Sequence, residues 1–404
     1  MNDTQDFSAI LRVVRLLTLA AFASSVAMRM CDPLLPKLAD EFAVGLPVAA
    51  GVITGFAVAY GVLQLAIGPL ADRIGKFLVV NIATLLAAVA SIACALAPTL
   101  ETLVIARVVA GGVGGAIIPV AFAWIGDEVP YERRQGVLAG VMSGGLLGLI
   151  CGQLIGGFFA DTIGWRAAFV ALSVLFAAVA VMLRVSPAAK RAPSPPAGTV
   201  SLGPSCLLRG YAAIVSDRWA RTVLAAVFVE GMLMYGAVSF VPSALHDRFA
   251  IPLWQAGGVS AVVGAGGFAY TLLAPRLIAR LGERGLAGMG GALVALGLLG
   301  LAAAPSPWFA LIASLALGLG FYAFHNTLQV HGTQLSSTHR TMGMALFALS
   351  LFVGQSIGVA LASAVVAFAG FSETFSAAGV AFALLSVALV RALVRHHALP
   401  ATRL

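Results

Sequence analysis

Charged side chains are scarce in this sequence: Asp, Glu, Lys and Arg make up only 10% of the 404 residues, against 60% hydrophobic residues. A water-soluble domain needs a charged exterior, so this composition excludes that class, whereas a protein surrounded by lipid has no such need. The mean hydropathy is +1.01. A helix needs roughly 20 apolar residues to cross the hydrocarbon, so there is room for about twelve crossings with short loops. The scarcity of charge therefore predicts an all-α membrane protein.

Cysteine and nucleotide-binding motifs are equally sparse. The four cysteines, Cys31, Cys94, Cys151 and Cys206, lie far apart without metal-ligand spacing, so neither a disulfide framework nor a metal site is predicted. The pattern Gly-x-x-x-x-Gly-Lys-Ser/Thr is absent from the sequence, so we do not expect ATP to drive any activity. No nucleophile motif or soluble signalling domain stands out, which leaves a membrane enzyme or a sensor as a remote alternative and predicts a protein that is not an enzyme.

Hydropathy predicts twelve spans, at 13–38, 49–70, 76–97, 101–124, 135–160, 165–184, 219–243, 255–275, 286–304, 308–331, 341–368 and 374–394. With the first residues inside, 19 of the 24 basic residues fall in cytoplasmic segments and three in outer loops. An excess of Lys and Arg on one side orients a membrane protein. The net charge of +8 therefore reflects topology and not nucleic-acid binding. We expect both termini in the cytoplasm and the chain in the bacterial inner membrane.

A proline-rich basic break divides the apolar pattern into two groups of six spans. It predicts an N-terminal six-helix bundle at 1–187, a cytoplasmic linker at 188–217 and a C-terminal six-helix bundle at 218–404. The later part of the break, 206–215, is apolar enough for a short surface helix.

Two short echoes indicate that the halves are repeats. Gly152-Gln-Leu-Ile-Gly in span 5 recurs as Gly354-Gln-Ser-Ile-Gly in span 11, 202 positions later. Arg73-Ile-Gly after span 2 recurs as Arg280-Leu-Gly after span 8, 207 positions later. Parallel repeats are one plan of secondary transporters, with the substrate site at the midplane between the halves.

The loop between spans 2 and 3 carries the first family resemblance. The segment from Gly68 to Lys76, Gly-Pro-Leu-Ala-Asp-Arg-Ile-Gly-Lys, resembles the signature loop of the major facilitator superfamily. The resemblance implies a gating loop formed by Gly68, Asp72, Arg73, Gly75 and Lys76. It also implies the fold of that superfamily, two six-helix bundles related by a pseudo-two-fold axis.

Spans 1, 4 and 5 extend the resemblance to the twelve-helix drug:proton antiporter branch. The Asp32-Pro-Leu-Leu-Pro run ends span 1, and Arg107 in span 4 occupies the place of the superfamily's intramembrane arginine. Five residues of span 5 are similar to the antiporter motif of drug exporters, with glutamine where that motif has proline. They are Gly148, Gly152, Gln153, Gly156 and Gly157. Glycines four residues apart would let span 5 pack closely against another helix.

Four charged residues fall inside predicted spans: Arg29, Asp32, Arg107 and Glu230. Each costs about 2.5–3.5 kcal/mol at a helix centre, so we expect them to face a cavity and to pair. Asp32 and Arg107 both lie about 9 Å from the outer ends of their spans at 1.5 Å per residue, which predicts a contact between them. Arg29 is three residues before Asp32 and is the alternative partner. Asp32 and Glu230 are candidate proton-coupling residues; the alternative for Asp32 is a static ion pair.

Span 10 holds the other polar candidates. His325 and Gln329 share a helix face, with Tyr322 one turn earlier and Asn326 beside them. Histidine suits a proton relay or a hydrogen bond to substrate. The alternative is a polar contact between helices, and His331 and His339 are expected at the cytoplasmic surface.

The resemblance implies a proton-coupled secondary transporter, in the first instance an efflux antiporter for small amphipathic molecules or drugs. Each 100 mV supplies about 2.3 kcal/mol per proton charge, so we expect no cofactor beyond the proton gradient. The alternative is a proton symporter, or an exporter of an organic anion or sugar-like metabolite, with Arg29 and Arg107 holding a carboxylate. We expect a substrate, protons and the bilayer as partners, no nucleic acid, and a monomer.

Overall fold

The computed structural model describes residues 3–186, 204–336 and 340–398. In these ranges the chain is helical and forms no strand. The helices are α1 (Asp3–Arg29), α2 (Leu35–Glu41), α3 (Leu46–Ala49), α4 (Gly51–Ile74), α5 (Lys76–Ala95), α6 (Leu100–Glu128), α7 (Tyr131–Asp161), α8 (Trp165–Val185), α9 (Pro204–Ser216), α10 (Arg218–Val238), α11 (Val241–Phe249), α12 (Leu253–Ala303), α13 (Pro307–Gly332), α14 (Arg340–Phe368) and α15 (Phe371–Ala398).

Eleven helical segments in the described ranges are long and apolar enough to cross a membrane. One of them, the 51-residue α12, is two helices joined at Gly282, where the backbone leaves the helical region. Splitting α12 there gives twelve crossing helices, which confirms the predicted number.

Spans 1 and 7 are not continuous, although the sequence predicts unbroken helices over 13–38 and 219–243. The first stops at Arg29 and resumes as α2, and the second stops at Val238 and resumes as α11. Pro33 lies four residues after Arg29. A proline at this position has no N–H to donate to the Arg29 carbonyl, and its ring clashes with that carbonyl, so the helix ends at Arg29. Hydropathy registers the apolar length of a span and is blind to such a break.

Backbone conformation shows the internal repeat directly. Among the described residues, positive φ angles occur at six positions that form three pairs: Ala43 with Ala250, Gly75 with Gly282, and Gly164 with Gly370. The members of the three pairs lie 207, 207 and 206 positions apart. Each pair marks the same junction in the two halves, so the halves share one fold.

Helix packing corrects the register of one predicted echo. A side chain at Gly148 would overlap the Phe22 carbonyl, and one at Gly354 would overlap the Phe228 carbonyl. Both contacts shift by 206 positions between the halves, so Gly354 corresponds to Gly148 and not to Gly152. The echo at 202 positions is wrong by one helical turn, because glycines recurring every four residues match almost as well when shifted by four.

Each half is assembled from helices that pack mainly on their own half. In the first, α1 packs on α7, α4 on α6, and α5 on α6 and α8; in the second, α10 packs on α14, and α12 on α15 and α13. The halves meet along α7 with α12 and along α4 with α14. The predicted surface helix near 206–215 forms as α9, and its Tyr211 hydroxyl donates to the Leu65 carbonyl of α4 at 3.0 Å. The proline-rich stretch predicted as a linker lies largely in 187–203, outside the described residues.

We call the end of the bundle where α1 begins and α15 ends the terminal face, and the opposite end the distal face. At the distal face the halves are held together by polar contacts. The backbone N–H of Trp254 donates to an Asp161 carboxylate oxygen at 2.8 Å, and the Ser356 hydroxyl donates to the Thr54 carbonyl at 3.1 Å. These two contacts and the packing of α7 on α12 form what we call the distal seam.

Glu41 anchors the distal end of the first half. Its carboxylate accepts hydrogen bonds from Arg166 and from the Trp165 indole, the latter at 2.5 Å. Partial burial alone would raise the pKa of Glu41, but these two donors outweigh it and hold the pKa below its usual value. The bonds therefore favour folding above the unfolded carboxyl pKa of about 4.3, and this contribution is lost as the pH falls through the lower folded value.

We expect Glu41→Gln to flatten the acid end of the stability profile. The thermal midpoint of the wild-type protein in detergent should fall between about pH 5 and pH 3, and part of that fall should disappear in the variant, because the amide carries no charge to lose. Asp40→Asn, at the exposed neighbouring position, is the control and should keep the wild-type profile. Identical slopes for wild type and Glu41→Gln would contradict the assignment.

Candidate functional site

A small cavity lies between the two halves, within the membrane-spanning helices. Its volume is about 40 Å³, enough for one or two water molecules. The wall is formed by both halves and consists of Arg29, Leu149, Gln153, Met234, Tyr235, Val238, Ser260, Ala261, Val263, Gly264, Phe321 and Tyr322. Secondary transporters built from repeats bind their substrates between the repeats, near the bilayer midplane.

Asp32 lies just behind the wall, in the break between α1 and α2, and is completely buried. One carboxylate oxygen accepts from Arg29 Nη1 at 3.3 Å and from Gln153 Nε2 at 2.8 Å. The other oxygen has no hydrogen-bond partner among the described residues. Two donors therefore converge on one oxygen, and each forms a stronger hydrogen bond with an ionised carboxylate than with the protonated acid.

The predicted contact between Asp32 and Arg107 is not formed. Arg107 donates instead to two backbone carbonyls, from Nε to Val52 at 3.1 Å and from Nη1 to Ala27 at 3.0 Å. Its guanidinium also lies 4.0 Å from the centre of the Phe56 ring. The last carbonyls of a helix lack helical donors, and α1 ends two residues after Ala27, so Arg107 caps that end. Equal distance from the ends of the two spans did not define the direction of the side chain.

We expect thermodynamic coupling between Asp32 and Arg29 but not between Asp32 and Arg107. In a double-mutant cycle of Asp32→Asn with Arg29→Met, the double variant should be more stable than additivity predicts, by roughly 0.5–3 kcal/mol, because neither charge remains unpaired. The matched cycle with Arg107→Met should be additive within about 0.5 kcal/mol. Thermal unfolding of the purified variants measures both cycles, and coupling confined to Arg107 would reverse the assignment.

Glu230 forms a second buried ionisable site in the other half. Its side chain is fully buried in α10, and one carboxylate oxygen lies 2.9 Å from His325 Nδ1 in α13. The other oxygen has no partner among the described residues. The imidazole is stacked on Phe321 with ring centres 5.3 Å apart. The structure thus brings together two candidates that the sequence placed on separate helices, in an arrangement suited to sharing one proton.

The remaining span 10 candidates divide between the cavity and a neighbouring packing contact. Tyr322 lines the cavity and packs on Gly267 of α12. Asn326 lies near the Tyr270 hydroxyl of α12, but that hydroxyl has no hydrogen-bond partner among the described residues. Gln329 is half-buried one turn further along α13 and does not line the cavity.

The predicted gating loop forms a charge cluster at the terminal face. Lys76 lies 3.6 Å from Asp72 at the end of α4 and 2.5 Å from Asp127 at the end of α6. Gly75 between α4 and α5 has φ 100°, a conformation that a residue with a side chain rarely adopts. Arg73 is exposed, and Gly68 lies within α4. Lys76, at the start of α5, therefore contacts the ends of both α4 and α6.

His331 corrects another prediction, because it is buried and not at the surface. It contacts Glu283 and packs edge-on against Trp219 with ring centres 5.1 Å apart. His339 lies outside the described residues. The ring of Trp219 covers the histidine, which hydropathy alone does not reveal.

The glycines of the antiporter-like motif are packing positions. A side chain at Gly148, Gly152 or Gly156 would crowd the carbonyls of residues 22, 26 and 30, in α1 and just after its end, while Gly157 faces Leu253 of α12. Small residues at four-residue spacing let helix backbones approach closely in lipid. The sequence predicts close packing of span 5 against another helix, and the structure shows two such partners, α1 on one face of α7 and α12 on another. This close approach is what brings the Gln153 amide to Asp32.

Sequence reasoning missed Tyr235, which connects the two ionisable sites. Its ring lies 4.2 Å from the Arg29 guanidinium, and its neighbour Phe321 is stacked on His325. A lone tyrosine in an apolar span carries no signal by itself. Position 235 follows Arg29 by 206, the repeat offset, so aligning the halves in the correct register would have revealed it.

Comparison with known proteins agrees with this architecture. Over 370 residues the chain is 26% identical to the uncharacterized MFS-type transporter YwfA of Bacillus subtilis, covering 88% of this chain and 86% of that protein. It is 30% identical over 157 residues to the multidrug export protein EmrB of Haemophilus influenzae, covering 39% of this chain and 31% of that protein. The fold matches a bacterial homologue of the human lysosomal transporter Spinster, in an inward-facing and occupied conformation, with a TM-score of 0.76 at 17% identity over 95% and 96% of the chains.

The family model for the Major Facilitator Superfamily matches residues 17–337, from within α1 to shortly after the end of α13. That range includes the Asp32 site, the gating loop, the cavity and the Glu230–His325 pair. The chain belongs to the Major Facilitator Superfamily of transporters.

Proposed function

We propose that this protein is a proton-coupled antiporter that exports small amphipathic organic molecules. The observation that carries the proposal is the site at Asp32, where a buried carboxylate next to a cavity between the halves is held by a side chain from its own helix and one from α7. Likeness to multidrug exporters over part of the chain supports the direction of transport.

Proton binding at Asp32 changes the bonds that hold the site together. When the carboxylate is protonated, it no longer attracts the Arg29 guanidinium as an ion, and the contact between α1 and α7 through Gln153 weakens. The Arg29 side chain is then free to leave the position over Tyr235. Substrate and proton thereby prefer different arrangements of the same side chains, which is the requirement for exchange. Glu230 with His325 provides a second proton position.

The test is the direction of proton movement in everted membrane vesicles. Because no substrate is established, a panel of fluorescent amphipathic compounds is screened first for exclusion from cells that overproduce the protein. Adding an excluded compound to energised vesicles should release protons in the antiport direction, and vesicles with Asp32→Asn should not respond. Proton uptake together with the compound would replace the proposal by symport.

Symport or export of an organic anion is the second candidate, favoured by one observation. Arg29 is the charged member of the cavity wall, and its Nη2 has no partner among the described residues. An anion at Nη2 would compete with Asp32 for the guanidinium, so anion binding would require a protonated Asp32. A substrate affinity that increases as the pH is lowered would favour this reading, and antiport requires the opposite trend.

We further propose that the terminal face is cytoplasmic in a bacterial inner membrane. The bias of basic residues supports this orientation. In a variant without the native cysteines, Pro305→Cys, which follows α12 at the distal face, should react with a membrane-impermeant maleimide in intact cells. A cysteine at Glu132, exposed at the start of α7, should react only after lysis. The reverse pattern would invert the topology, and a further site at 192–198 lies outside the described residues.

A further inference from the structure

The cavity wall presents aromatic faces and hydrogen-bonding groups but no carboxylate. Tyr235, Phe321 and Tyr322 supply the rings, and Arg29, Gln153 and Ser260 supply the polar groups. Asp32 and Glu230, the acids nearest to it, are completely buried and do not belong to the wall. A positively charged ligand in this cavity would therefore meet a guanidinium and not an acid.

The polar groups of the wall are incompletely bonded. Arg29 Nη2, Gln153 Oε1 and Ser260 Oγ are buried and have no hydrogen-bond partner among the described residues. Leaving such groups unpaired is costly, so a ligand that pairs with them gains their full hydrogen-bond energy. Arg29 is the strongest donor of the three, because its hydrogen bond is charge-assisted.

The ion pair with Asp32 sets the charge that the ligand should carry. Arg29 directs Nη1 to Asp32, so its positive charge is already balanced while Nη2 remains available. An anion would have to share the guanidinium with Asp32, and a cation would be repelled by it. An uncharged acceptor such as a carbonyl oxygen meets neither obstacle.

We propose that the cavity binds uncharged aromatic compounds that carry a hydrogen-bond acceptor such as a carbonyl, and that it excludes organic cations. The ring lies against Tyr235, Phe321 and Tyr322, and the acceptor receives the hydrogen bond from Arg29 Nη2. At about 40 Å³ the cavity is too small for a ring, so the ligand enters when the halves separate at this level. This inference rests on the proposed transport function and narrows its substrate class.

The test compares three naphthalene derivatives of similar size: acetylnaphthalene, ethylnaphthalene and naphthylmethylammonium. Binding to the purified protein in lipid nanodiscs is measured without a proton gradient, with empty nanodiscs subtracted for partition into lipid. The ketone should bind at least about tenfold more tightly than ethylnaphthalene, the gain expected from one charge-assisted hydrogen bond. Naphthylmethylammonium should bind more weakly than the ketone by a similar factor. A cation that binds as tightly as the ketone would overturn the proposal.

Two variants connect the preference to the wall. Arg29→Met combined with Asp32→Asn removes the donor without leaving a lone charge, and should abolish the preference for the ketone over ethylnaphthalene. Ala261→Asp adds a carboxylate to the wall and should raise the affinity for naphthylmethylammonium by about tenfold. An unchanged ketone preference in the first, or unchanged cation binding in the second, would refute the assignment. These measurements need no flux, so failure of proton exchange in vesicles would overturn the proposed function independently.

Discussion

Replacing Asp32 by asparagine should abolish uphill transport while leaving the protein folded. The amide has nearly the same shape and still accepts hydrogen bonds from Arg29 and Gln153 through its oxygen, but it cannot bind and release a proton. We expect proton-driven accumulation to fall to background, at least about a hundredfold, because coupling is removed rather than weakened. Downhill exchange of substrate, which needs no proton, should persist.

Asp40→Asn is the matched control for this prediction. It removes the same charge from the exposed face of α2, eight residues further along the chain, and should keep full uphill transport. Size-exclusion chromatography of both variants checks that they fold. If the Asp32 variant still concentrates substrate against a gradient, Asp32 is a structural ion-pair residue and the coupling site is elsewhere.

Gly148→Val should prevent the first half from assembling. A side chain at this position would overlap the Phe22 carbonyl and lie 2.7 Å from the Ser25 Cβ, so α1 and α7 would have to separate. Overpacking a core costs about 1–3 kcal/mol when side chains can adjust, and a backbone carbonyl adjusts less than a side chain. We expect the free energy of unfolding to fall by more than about 3 kcal/mol, and we expect little monodisperse protein after purification.

The same helix provides the control for the glycine prediction. Gly140 lies two turns earlier in α7 and has no neighbouring atom within 4 Å of the position of an added side chain. Gly140→Val therefore tests the general effect of valine in this helix without the clash, and should purify like the wild-type protein. Equal yields and equal thermal midpoints for the two variants would show that α1 and α7 do not pack as described.

The sequence predicts well those features that depend on distance along the chain. Span number follows from apolar length, because the membrane sets one thickness for every crossing. The pairing of Arg29 with Asp32 follows from their three-residue spacing, which keeps them close even though α1 ends at Arg29. The glycine ridge of α7 also follows from spacing, although its partner helix does not.

Features that depend on how helices rotate against each other could not be predicted. One of the two carbonyls that fix the direction of Arg107, that of Ala27, is available because the first span is interrupted before Pro33, and hydropathy does not reveal that interruption. The contact between Glu230 and His325 needs the relative rotation of α10 and α13, which spacing within either helix does not fix. Contacts between distant helices become predictable only when the repeat register is known.

Gln153 contacts both the Asp32 carboxylate and the distal seam, and it therefore connects the two mechanically. Its amide donates to Asp32, while its backbone carbonyl lies against Gly257 in the distal seam, so tightly that a side chain there would come within 2.5 Å. A movement that separates α7 from α12 at Gly257 therefore displaces the residue that supplies one of the two hydrogen bonds to the carboxylate. The hydrogen bonding of the Asp32 carboxylate and the width of the seam are consequently coupled, and a crosslink across the seam should fix both.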